Sequence, residues 1–237
     1  MAAAGAQYAA AMDDVRRVDY VGTGISEDEV APTPWQQARR WVDDALTRAD
    51  AQADVPEPLA ISVATVDADG LPNVRTVLMR FFDERGPGFV TNTESSKGIE
   101  IAASGGIAVA LTWPAMYRAI RFRGRAEVLD RDEVAGYFGS RPWASRISAW
   151  ASQQSRPVEG RAALEEAYER CAAQWPDHGN PDDVPVPDFW GGYRVLADEV
   201  EFWGGRRNRL HDRLVFSRVA PGSLDDPDAW TLSRRQP

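Results

Sequence analysis

Short apolar segments separated by turn residues run through this 237-residue chain and constrain its fold more than any other feature. Their alternation predicts strands at 59–66, 74–82, 88–92, 107–113 and 117–129, with a turn at 67–70. The same pattern returns near the end of the chain, at 193–203, 209–218 and 230–234. Short strands at this density predict a small antiparallel β-barrel.

Helical segments flank the predicted strands. Thr33 followed by Pro34 is typical of a helix start, and Asp130 with Glu133 has the pattern of a capping box. The helices are predicted at 34–46, 95–103, 130–138, 143–151 and 161–175. Residues 1–14 are expected to be a disordered tail, so residues 15–237 are interpreted as a single α+β domain.

The charge and cysteine counts exclude several classes of protein. A formal net charge of −9 gives no long-range attraction to nucleic acid or to anionic lipid. Cys171 is the only cysteine, so no intramolecular disulfide is expected and a reducing, cytoplasmic compartment is predicted. No apolar run approaches the roughly 18 residues of a membrane span. Histidine and cysteine form no cluster with metal-ligand spacing, so no metal site is predicted.

Lysine is almost absent from the chain, since Lys97 is the only lysine among 27 basic side chains. It lies in the segment 92–98, where hydroxyl side chains follow a predicted strand and open a predicted helix. Such a segment is a natural phosphate cradle, although it matches neither the P-loop nor the dinucleotide pattern. A capped surface helix with a solvated lysine explains the same residues.

Cationic side chains recur on two predicted strands. Arg75 and Arg80 bracket the apolar segment Thr76-Val77-Leu78-Met79, either as solvated strand ends or as two groups reaching an anion from opposite sides of the strand. At strand spacing, Arg209, His211 and Arg213 line one face, and Leu210 lies on the other. This second set fits either a solvated edge strand or a face directed at an anionic ligand.

Two further patterns offer hydrogen-bonding groups to a ligand. Tyr137, Arg141 and Ser145 recur every four residues, so they share a face if helical pitch continues through Pro142. Gln154 and Ser155 follow a predicted helix and either cap it or bond a heterocycle. Trp203 precedes the arginine–histidine segment and either belongs to the core or forms the wall of a flat ligand site.

Taken together, these segments resemble the pyridoxamine (pyridoxine) 5′-phosphate oxidases. The matching stretches are 75–80, 91–98, 137–142 with Ser145, 149–157, 189–193, 201–203 and 209–213. The resemblance runs from about Arg17 to the C-terminus. It implies a homodimer with an FMN-binding split-barrel fold, and FMN at the subunit interface. It also implies oxidation of a phosphorylated B6 vitamer to pyridoxal 5′-phosphate, with O₂ reduced to H₂O₂.

The resemblance also implies roles for individual residues. Arg209 and His211 are the implied catalytic pair over the pyridine ring. The implied FMN-binding residues are Arg75, Thr76, Val77, Leu78, Met79, Arg80, Val90, Thr91, Ser96, Lys97, Gln154, Ser155, Trp203 and Arg213. The implied substrate-binding residues are Arg17, Tyr20, Arg80, Tyr137, Arg141, Ser145, Arg209, Leu210 and His211.

Three positions depart from the family pattern. Arg80 stands where the family has a substrate-phosphate lysine, which keeps the charge but replaces a point donor with a planar fork. Ala119 replaces a glutamine that contacts the flavin, and Ser96 replaces an arginine often found before the FMN lysine. These departures leave two alternatives: a related FMN oxidase acting on another substrate such as a phenazine precursor, or a non-catalytic flavin- or haem-binding split barrel.

Overall fold

The fold is α+β, with a nine-stranded antiparallel sheet curled into a split barrel and helices packed around it. The structure, a computed structural model, describes residues 19–237, so the predictions for residues 1–14 and for Arg17 lie outside the described residues. The strands are β1 Ala60–Val66, β2 Pro72–Leu78, β3 Phe81–Asp83, β4 Gly86–Asn92, β5 Gly106–Trp113, β6 Arg118–Val128, β7 Trp190–Gly204, β8 Asp212–Arg218 and β9 Trp230–Arg234. The helices are α1 Pro34–Ala51, α2 Ser96–Ser104, α3 Arg131–Ser140, α4 Trp143–Ala151 and α5 Arg161–Gln174.

Strand β7 organises the sheet because it pairs with three neighbours. It lies against β6 along most of its length, with residues 190–194 paired to β4 and residues 199–204 paired to β8. The register opposes Trp190 to Asn92 at one end and Trp203 to Arg213 at the other. One strand therefore carries residues that belong to two separate groups of candidate site residues.

The core lies between the sheet and helix α1. Thr33 caps this helix by accepting a hydrogen bond from the backbone N–H of Gln36, as the sequence predicts. Helical spacing buries Ala38, Trp41 and Ala45 against the sheet, where the Trp41 ring meets Phe202 edge-on at 5.5 Å. A second apolar cluster, which includes Phe138, Ile147 and Trp190, lies beneath α3 and α4.

The single strand predicted at 74–82 is wrong, because the chain forms two strands there. Strand β2 ends at Leu78, and the chain then passes from one end of the strand order, where β2 pairs with β1, to the other end, where β3 pairs with β4. The Met79 N–H donates to the Leu59 carbonyl at 2.9 Å, and the Arg80 N–H donates to Gly88 at 2.8 Å. Strand β3 then pairs with β4. Arg75 and Arg80 consequently do not bracket one strand.

Three further local predictions need correction. The predicted capping box at Asp130 is wrong, since Asp130 accepts from the N–H of Asp132 and the Glu133 carboxylate pairs with Arg85 instead. Helix α3 continues to Ser140, but Arg141 has extended backbone, so helical pitch does not run from Tyr137 to Ser145. The strand predicted from Arg209 begins only at Asp212. The interpretation of residues 15–237 as one domain stays a prediction.

Candidate functional site

The lysine cluster consists of Lys97 with the buried Thr91 and Ser95, the half-buried Arg75 and the exposed Gln154. Lys97 is 5% exposed. Its Nζ donates to Thr91 Oγ1 and Ser95 Oγ, each at 3.0 Å, and to Gln154 Oε1 at 2.5 Å. Within residues 19–237, no carboxylate oxygen lies within 4.0 Å of this ammonium group. Burial, and secondarily Arg75, lowers the pKa of Lys97 to about 8.

Arg75 reaches the same cluster from β2, but a carboxylate already binds it. Its Nη2 donates to Glu100 Oε2 at 2.9 Å, and Glu100 also accepts from Asn73 and Thr65. Hydrogen bonds from these three residues hold the pKa of Glu100 low against the opposing effect of its burial. Arg75 is thus neutralised and Lys97 is not, so the cluster retains a buried cation that fits an anionic ligand.

The helix that carries Lys97 begins against the backbone of the preceding turn. Gly98 is buried, and an added Cβ there would overlap the carbonyl oxygen of Thr93. Only a residue without a side chain allows α2 to start in this position, with Lys97 directed at Thr91 and Gln154. The close approach therefore fixes the geometry of the lysine cluster.

Substituting Gly98 by alanine is expected to destabilise the protein by about 1–3 kcal/mol, because backbone must move to admit the methyl group. Thermal unfolding measures the change. The matched control is Gly136→Ala in α3, where nothing lies within 4 Å of an added Cβ. An exposed helical glycine replaced by alanine is expected to gain about 0.5–1 kcal/mol. Equal changes in the two variants would contradict the steric assignment of Gly98.

The arginine–tryptophan cluster comprises Arg80, Tyr137, Arg141 and Trp190. The Arg80 guanidinium carbon lies 5.8 Å from the centre of the Tyr137 ring. The guanidinium carbon of Arg141 lies 4.6 Å from the centre of the Trp190 ring. Arg141 Nη1 is buried and has no hydrogen-bond partner in the described part of the chain. Burial lowers the pKa of Arg141, Tyr137 opposes the shift, and nearby Arg80 adds to it. Two close cations and an unpaired donor give this cluster a strong preference for an anion.

Ser145 lies one turn beyond Arg141, in the first turn of α4, where its N–H donates to the Pro142 carbonyl at 2.9 Å. The face predicted for Tyr137, Arg141 and Ser145 is therefore formed by the end of one helix, an extended residue and the start of the next helix. Buried Arg146 anchors α4 by donating to the backbone carbonyls of Asn180 and Pro181. The sequence analysis missed this anchor, because its partners lie more than thirty residues away.

The histidine cluster comprises Tyr20, Trp203, Arg209 and His211. The imidazole lies 4.7 Å from the Trp203 ring and 5.2 Å from the Tyr20 ring, measured between ring centres. His211 Nδ1 accepts from the backbone N–H of Arg206 at 3.1 Å, so in the neutral ring the proton belongs on Nε2. Burial, and then Arg209, lowers the pKa of His211, which favours the neutral form.

Arg209 does not share a strand face with His211 and Arg213, contrary to the prediction. It lies in the exposed turn Arg207–Arg209, where Asn208 and Arg209 have φ of 58° and 61°. A left-handed backbone at a large non-glycine residue is strained. Leu210, also in this loop, is 68% exposed. The buried Asp212 ties the end of the loop down by accepting from the N–H of Ile25 at 3.0 Å.

Arg213 forms a two-pronged ion pair with Glu201. Its Nε and Nη2 each donate to a Glu201 oxygen at 2.9 Å, and Arg121 donates to the same carboxylate at 2.7 Å. The sequence analysis included Glu201 in a matching segment without assigning it this role. Ala119 lies on β6 directly opposite Trp203, so the missing glutamine concerns the histidine cluster and not the lysine cluster.

The remaining residues predicted to bind FMN lie outside these three clusters. Thr76, Val77 and Leu78 lie on β2, which is an edge strand, and Met79 is buried in the core. Val90 lies on β4 opposite Gly192, while Ser96 is exposed in the first turn of α2. Ser155 is exposed, with a φ of 73°. In the described part of the chain, no hydrogen bond or ion pair joins the histidine cluster to the other two clusters.

Comparison with solved structures places the chain in the class of split-barrel proteins. PhzG from Burkholderia lata, solved in complex with tetrahydrophenazine-1-carboxylic acid, is 28% identical, with a TM-score of 0.75 over 89% of this chain and 95% of that one. An FMN-binding protein from Nostoc punctiforme, related to pyridoxamine 5′-phosphate oxidase, is 19% identical and shares the fold, with a TM-score of 0.63 over 86% of this chain and 98% of that one.

Sequence comparison then identifies the family. Residues 47–175 match pyridoxamine 5′-phosphate oxidase, and residues 190–237 match the pyridoxine 5′-phosphate oxidase C-terminal dimerisation region. Pyridoxine/pyridoxamine 5′-phosphate oxidase from Kineococcus radiotolerans is 48% identical over 94% of this chain and 97% of that protein. Its counterpart from Cupriavidus taiwanensis is 44% identical over 94% and 98%. The chain belongs to the pyridoxamine 5′-phosphate oxidase family of oxidoreductases.

The sequence contains no apolar run as long as a membrane span, and the helices of the structure can be compared with that expectation. Among the described helices, none combines the length and the apolar character that crossing a bilayer requires.

Proposed function

We propose that this protein binds FMN and oxidises pyridoxamine 5′-phosphate, pyridoxine 5′-phosphate or both to pyridoxal 5′-phosphate, a reaction of vitamin B6 metabolism. The observation that supports the proposal is the presence of two distinct clusters, each with a positively charged side chain that no carboxylate pairs with in residues 19–237. One is the buried Lys97 with neutral acceptors only, and the other holds the unpartnered Nη1 of Arg141. FMN and a phosphorylated vitamer bring one phosphate each.

The lysine cluster fits the FMN phosphate. A cation desolvated by burial and bonded only to hydroxyl and amide oxygens gains most from a charged oxygen. Gln154 is the exposed member of this cluster, so its amide oxygen is the one that a phosphate oxygen would displace from Lys97. Thr91, Ser95 and the first turn of α2 would remain as the wall of the phosphate site.

Substrate positioning falls to the other two clusters. The chemistry that FMN supplies when bound is acceptance of a hydride from the C4′ carbon, with the electrons passed to O₂ to give H₂O₂. Arg80, Tyr137, Arg141 and Ser145 would hold the substrate phosphate, which the neighbouring ring carbon carries, and so fix the position of C4′. Arg209 would orient the pyridine ring, and neutral His211 would present its Nε2 proton to the ring substituents. Tyr20 would close over the bound ring.

A second copy of the chain is proposed to complete each site. The histidine cluster has no polar link to the other two clusters within residues 19–237, yet the proposed substrate must touch both Arg141 and Arg209. The match of residues 190–237 to a dimerisation region supports the same arrangement. We therefore propose a homodimer in which the Lys97 and Arg141 of one protomer face the Arg209 and His211 of its partner.

Mixing two impaired chains tests this arrangement, at an FMN concentration that saturates the wild type but not Lys97→Met. In a dimer of one Lys97→Met chain and one Arg209→Ala chain, one shared site carries both changes and the other carries neither. Purified mixed dimers, isolated with two different affinity tags, are expected to show about half of the wild-type turnover per dimer. Each parent homodimer serves as the control. Mixed dimers as inactive as both parents would contradict a shared site.

The reaction itself is tested by direct assay. The purified protein, supplied with FMN, is expected to be yellow and to form pyridoxal 5′-phosphate and H₂O₂ in equal amounts from at least one phosphorylated vitamer. A flavin-loaded protein that turns over neither vitamer would overturn the proposal. A protein that binds no FMN would overturn the cofactor assignment as well.

A related oxidase acting on a phenazine precursor is the second candidate. The observation that favours it is the similarity to PhzG, which was solved with tetrahydrophenazine-1-carboxylic acid. Arg80, Tyr137 and Arg141 together favour a phosphorylated substrate instead, since they offer two guanidinium groups and a phenol to one anion. Turnover of tetrahydrophenazine-1-carboxylic acid with neither vitamer oxidised would select this candidate.

A further inference from the structure

Trp190 occupies a fixed position at the start of β7. Its backbone N–H donates to the Pro187 carbonyl at 3.0 Å, and its own carbonyl accepts from Arg131 Nη1 at 2.6 Å. The ring of Phe138 packs edge-on against the indole at 5.8 Å. The residue is 8% exposed. Backbone pairing and packing thus hold the indole in one place, which a ligand site requires.

The indole N–H of Trp190 is buried and has no hydrogen-bond partner among residues 19–237. Other tryptophans in the structure behave differently. The indoles of Trp113, Trp143, Trp150 and Trp230 each donate to a backbone carbonyl at 2.7–2.9 Å. A buried donor left unpaired costs about 1–3 kcal/mol, so an unpaired indole in a well-packed site indicates a missing acceptor.

The neighbouring side chain indicates which acceptor is missing. Arg141 lies over the Trp190 ring at 4.6 Å and over Phe138 at 5.7 Å, and its buried Nη1 also lacks a partner. Nowhere in residues 19–237 does a carboxylate oxygen lie within 4.0 Å of Arg141 or Arg80. Two unpaired donors on stacked groups, with a second cation nearby, call for an acceptor that is anionic and has several oxygens.

We propose that Trp190 belongs to the phosphate site. Its indole face holds the Arg141 guanidinium in position, and its Nε1–H donates to the same phosphate that Arg141 binds. This assignment rests on the proposed function for the identity of the phosphate as that of the substrate. Arg141 follows the end of α3, and within residues 19–237 no hydrogen bond is formed by its Nη1, so the indole supplies the rigidity that helical pitch does not.

Two substitutions separate the two roles. Trp190→Phe keeps an aromatic face for Arg141 and deletes the donor, whereas Trp190→Leu removes both. The binding probes are pyridoxal 5′-phosphate and pyridoxal, titrated into flavin-loaded protein. One lost hydrogen bond to a charged acceptor predicts about a tenfold weaker dissociation constant for pyridoxal 5′-phosphate in Trp190→Phe. Trp190→Leu is expected to weaken it further, and neither variant is expected to change the binding of pyridoxal.

Steady-state kinetics and a matched tryptophan give further readouts. In Trp190→Phe, the KM of the phosphorylated vitamer is expected to rise by a similar factor with kcat nearly unchanged, because binding is altered and the reacting atoms are not. The control is Trp143→Phe, whose indole donates to the Trp175 carbonyl at 2.9 Å. That change is expected to lower thermal stability without altering the preference for pyridoxal 5′-phosphate over pyridoxal.

Nuclear magnetic resonance of the unmutated protein provides a test that does not depend on a variant folding well. The indole ¹H–¹⁵N signal missing from the Trp190→Phe spectrum identifies Trp190. Titration of wild-type protein with inorganic phosphate is expected to move that signal downfield, as a new hydrogen bond forms. A Trp190 signal that does not shift at saturating phosphate would overturn the proposal that the indole N–H donates to phosphate.

The outcomes distinguish this inference from the proposed function. If Trp190→Phe leaves the affinity for pyridoxal 5′-phosphate unchanged, or weakens pyridoxal binding equally, the inference fails even if the wild-type protein oxidises the vitamers. If the wild-type protein oxidises neither vitamer but its Trp190 signal responds to phosphate and the substitution weakens phosphate binding, the inference stands and the proposed function fails.

Discussion

Replacing Arg209 with glycine or alanine is expected to lower turnover by about 100-fold, the cost of removing one positioned charged donor from a reacting substrate. The two variants should differ in stability. Arg209 has left-handed backbone, which costs an L-residue about 1–2 kcal/mol and costs glycine almost nothing. Arg209→Gly is therefore expected to unfold about 2 °C above Arg209→Ala in thermal melts. Both variants are expected to retain FMN, which the flavin absorbance of the purified protein measures.

The adjacent residue provides the control for backbone strain. Asn208 has a φ of 58° and an exposed side chain, and no role in the proposed chemistry. Asn208→Gly is expected to keep full turnover with a stability equal to or slightly above wild type, because asparagine already tolerates this conformation. If Arg209→Ala loses FMN in proportion to turnover, the residue belongs to the flavin site and its assignment to the substrate is wrong.

Lys97 is expected to make FMN binding dependent on pH. Its pKa of about 8 means that the ammonium is present below pH 8 and is lost as the pH rises through that value. The FMN phosphate, with a second pKa near 6, stays dianionic over this range. The apparent dissociation constant of FMN is therefore expected to rise about tenfold between pH 7 and pH 9, measured by quenching of flavin fluorescence.

The stability of the apoprotein is expected to change with pH in the opposite direction to the affinity for FMN. The folded-state pKa of Lys97 lies below its ordinary value of 10.5, so the unfolded chain binds more protons between the two values. The melting temperature of the FMN-free protein is expected to gain from this residue as the pH rises above 8, while FMN affinity falls. A group that only packs in the core would not move the two measurements in opposite directions.

Two substitutions at Lys97 provide the controls. Lys97→Arg keeps its charge across this range, so its FMN affinity is expected to be independent of pH between 7 and 9. Lys97→Met is expected to bind FMN about 10–100-fold more weakly at pH 7, because a charge-assisted hydrogen bond is lost. A wild-type affinity that is flat across pH 8 would show that Lys97 does not bind the phosphate.

Much of the sheet could be predicted from sequence because apolar residues alternate along it. Strands β1, β5 and β9 match their predictions within a residue, and α4 matches at both ends. The break at Met79 and Arg80 could not be predicted, since both sides of it have strand composition. It exists because β2 and β3 pair with strands at opposite ends of the strand order of the sheet, which is a property of tertiary structure.

In the candidate site too, local sequence patterns could be predicted and contacts between distant segments could not. Lys97 could be singled out because hydroxyl residues and a helix start surround it in the sequence. Glu100 neutralising Arg75, Gln154 covering Lys97 and Trp190 supporting Arg141 could not, because each contact joins separate segments. The turn at Asn208 did carry a local signal, since asparagine is one of the few residues that accept left-handed backbone.

The length of strand β7 separates two parts of the proposed site. Its 15 residues, at about 3.3 Å each, give a path of about 50 Å, with Trp190 at one end and Trp203 near the other. The indole proposed to bind the phosphate, Trp190, and the Trp203 indole of the histidine cluster therefore lie near opposite ends of the same continuous strand. In the proposed homodimer, the Trp190 end of β7 in one protomer would lie near the Trp203 end of β7 in its partner, so dimerisation would determine the distance between substrate and flavin.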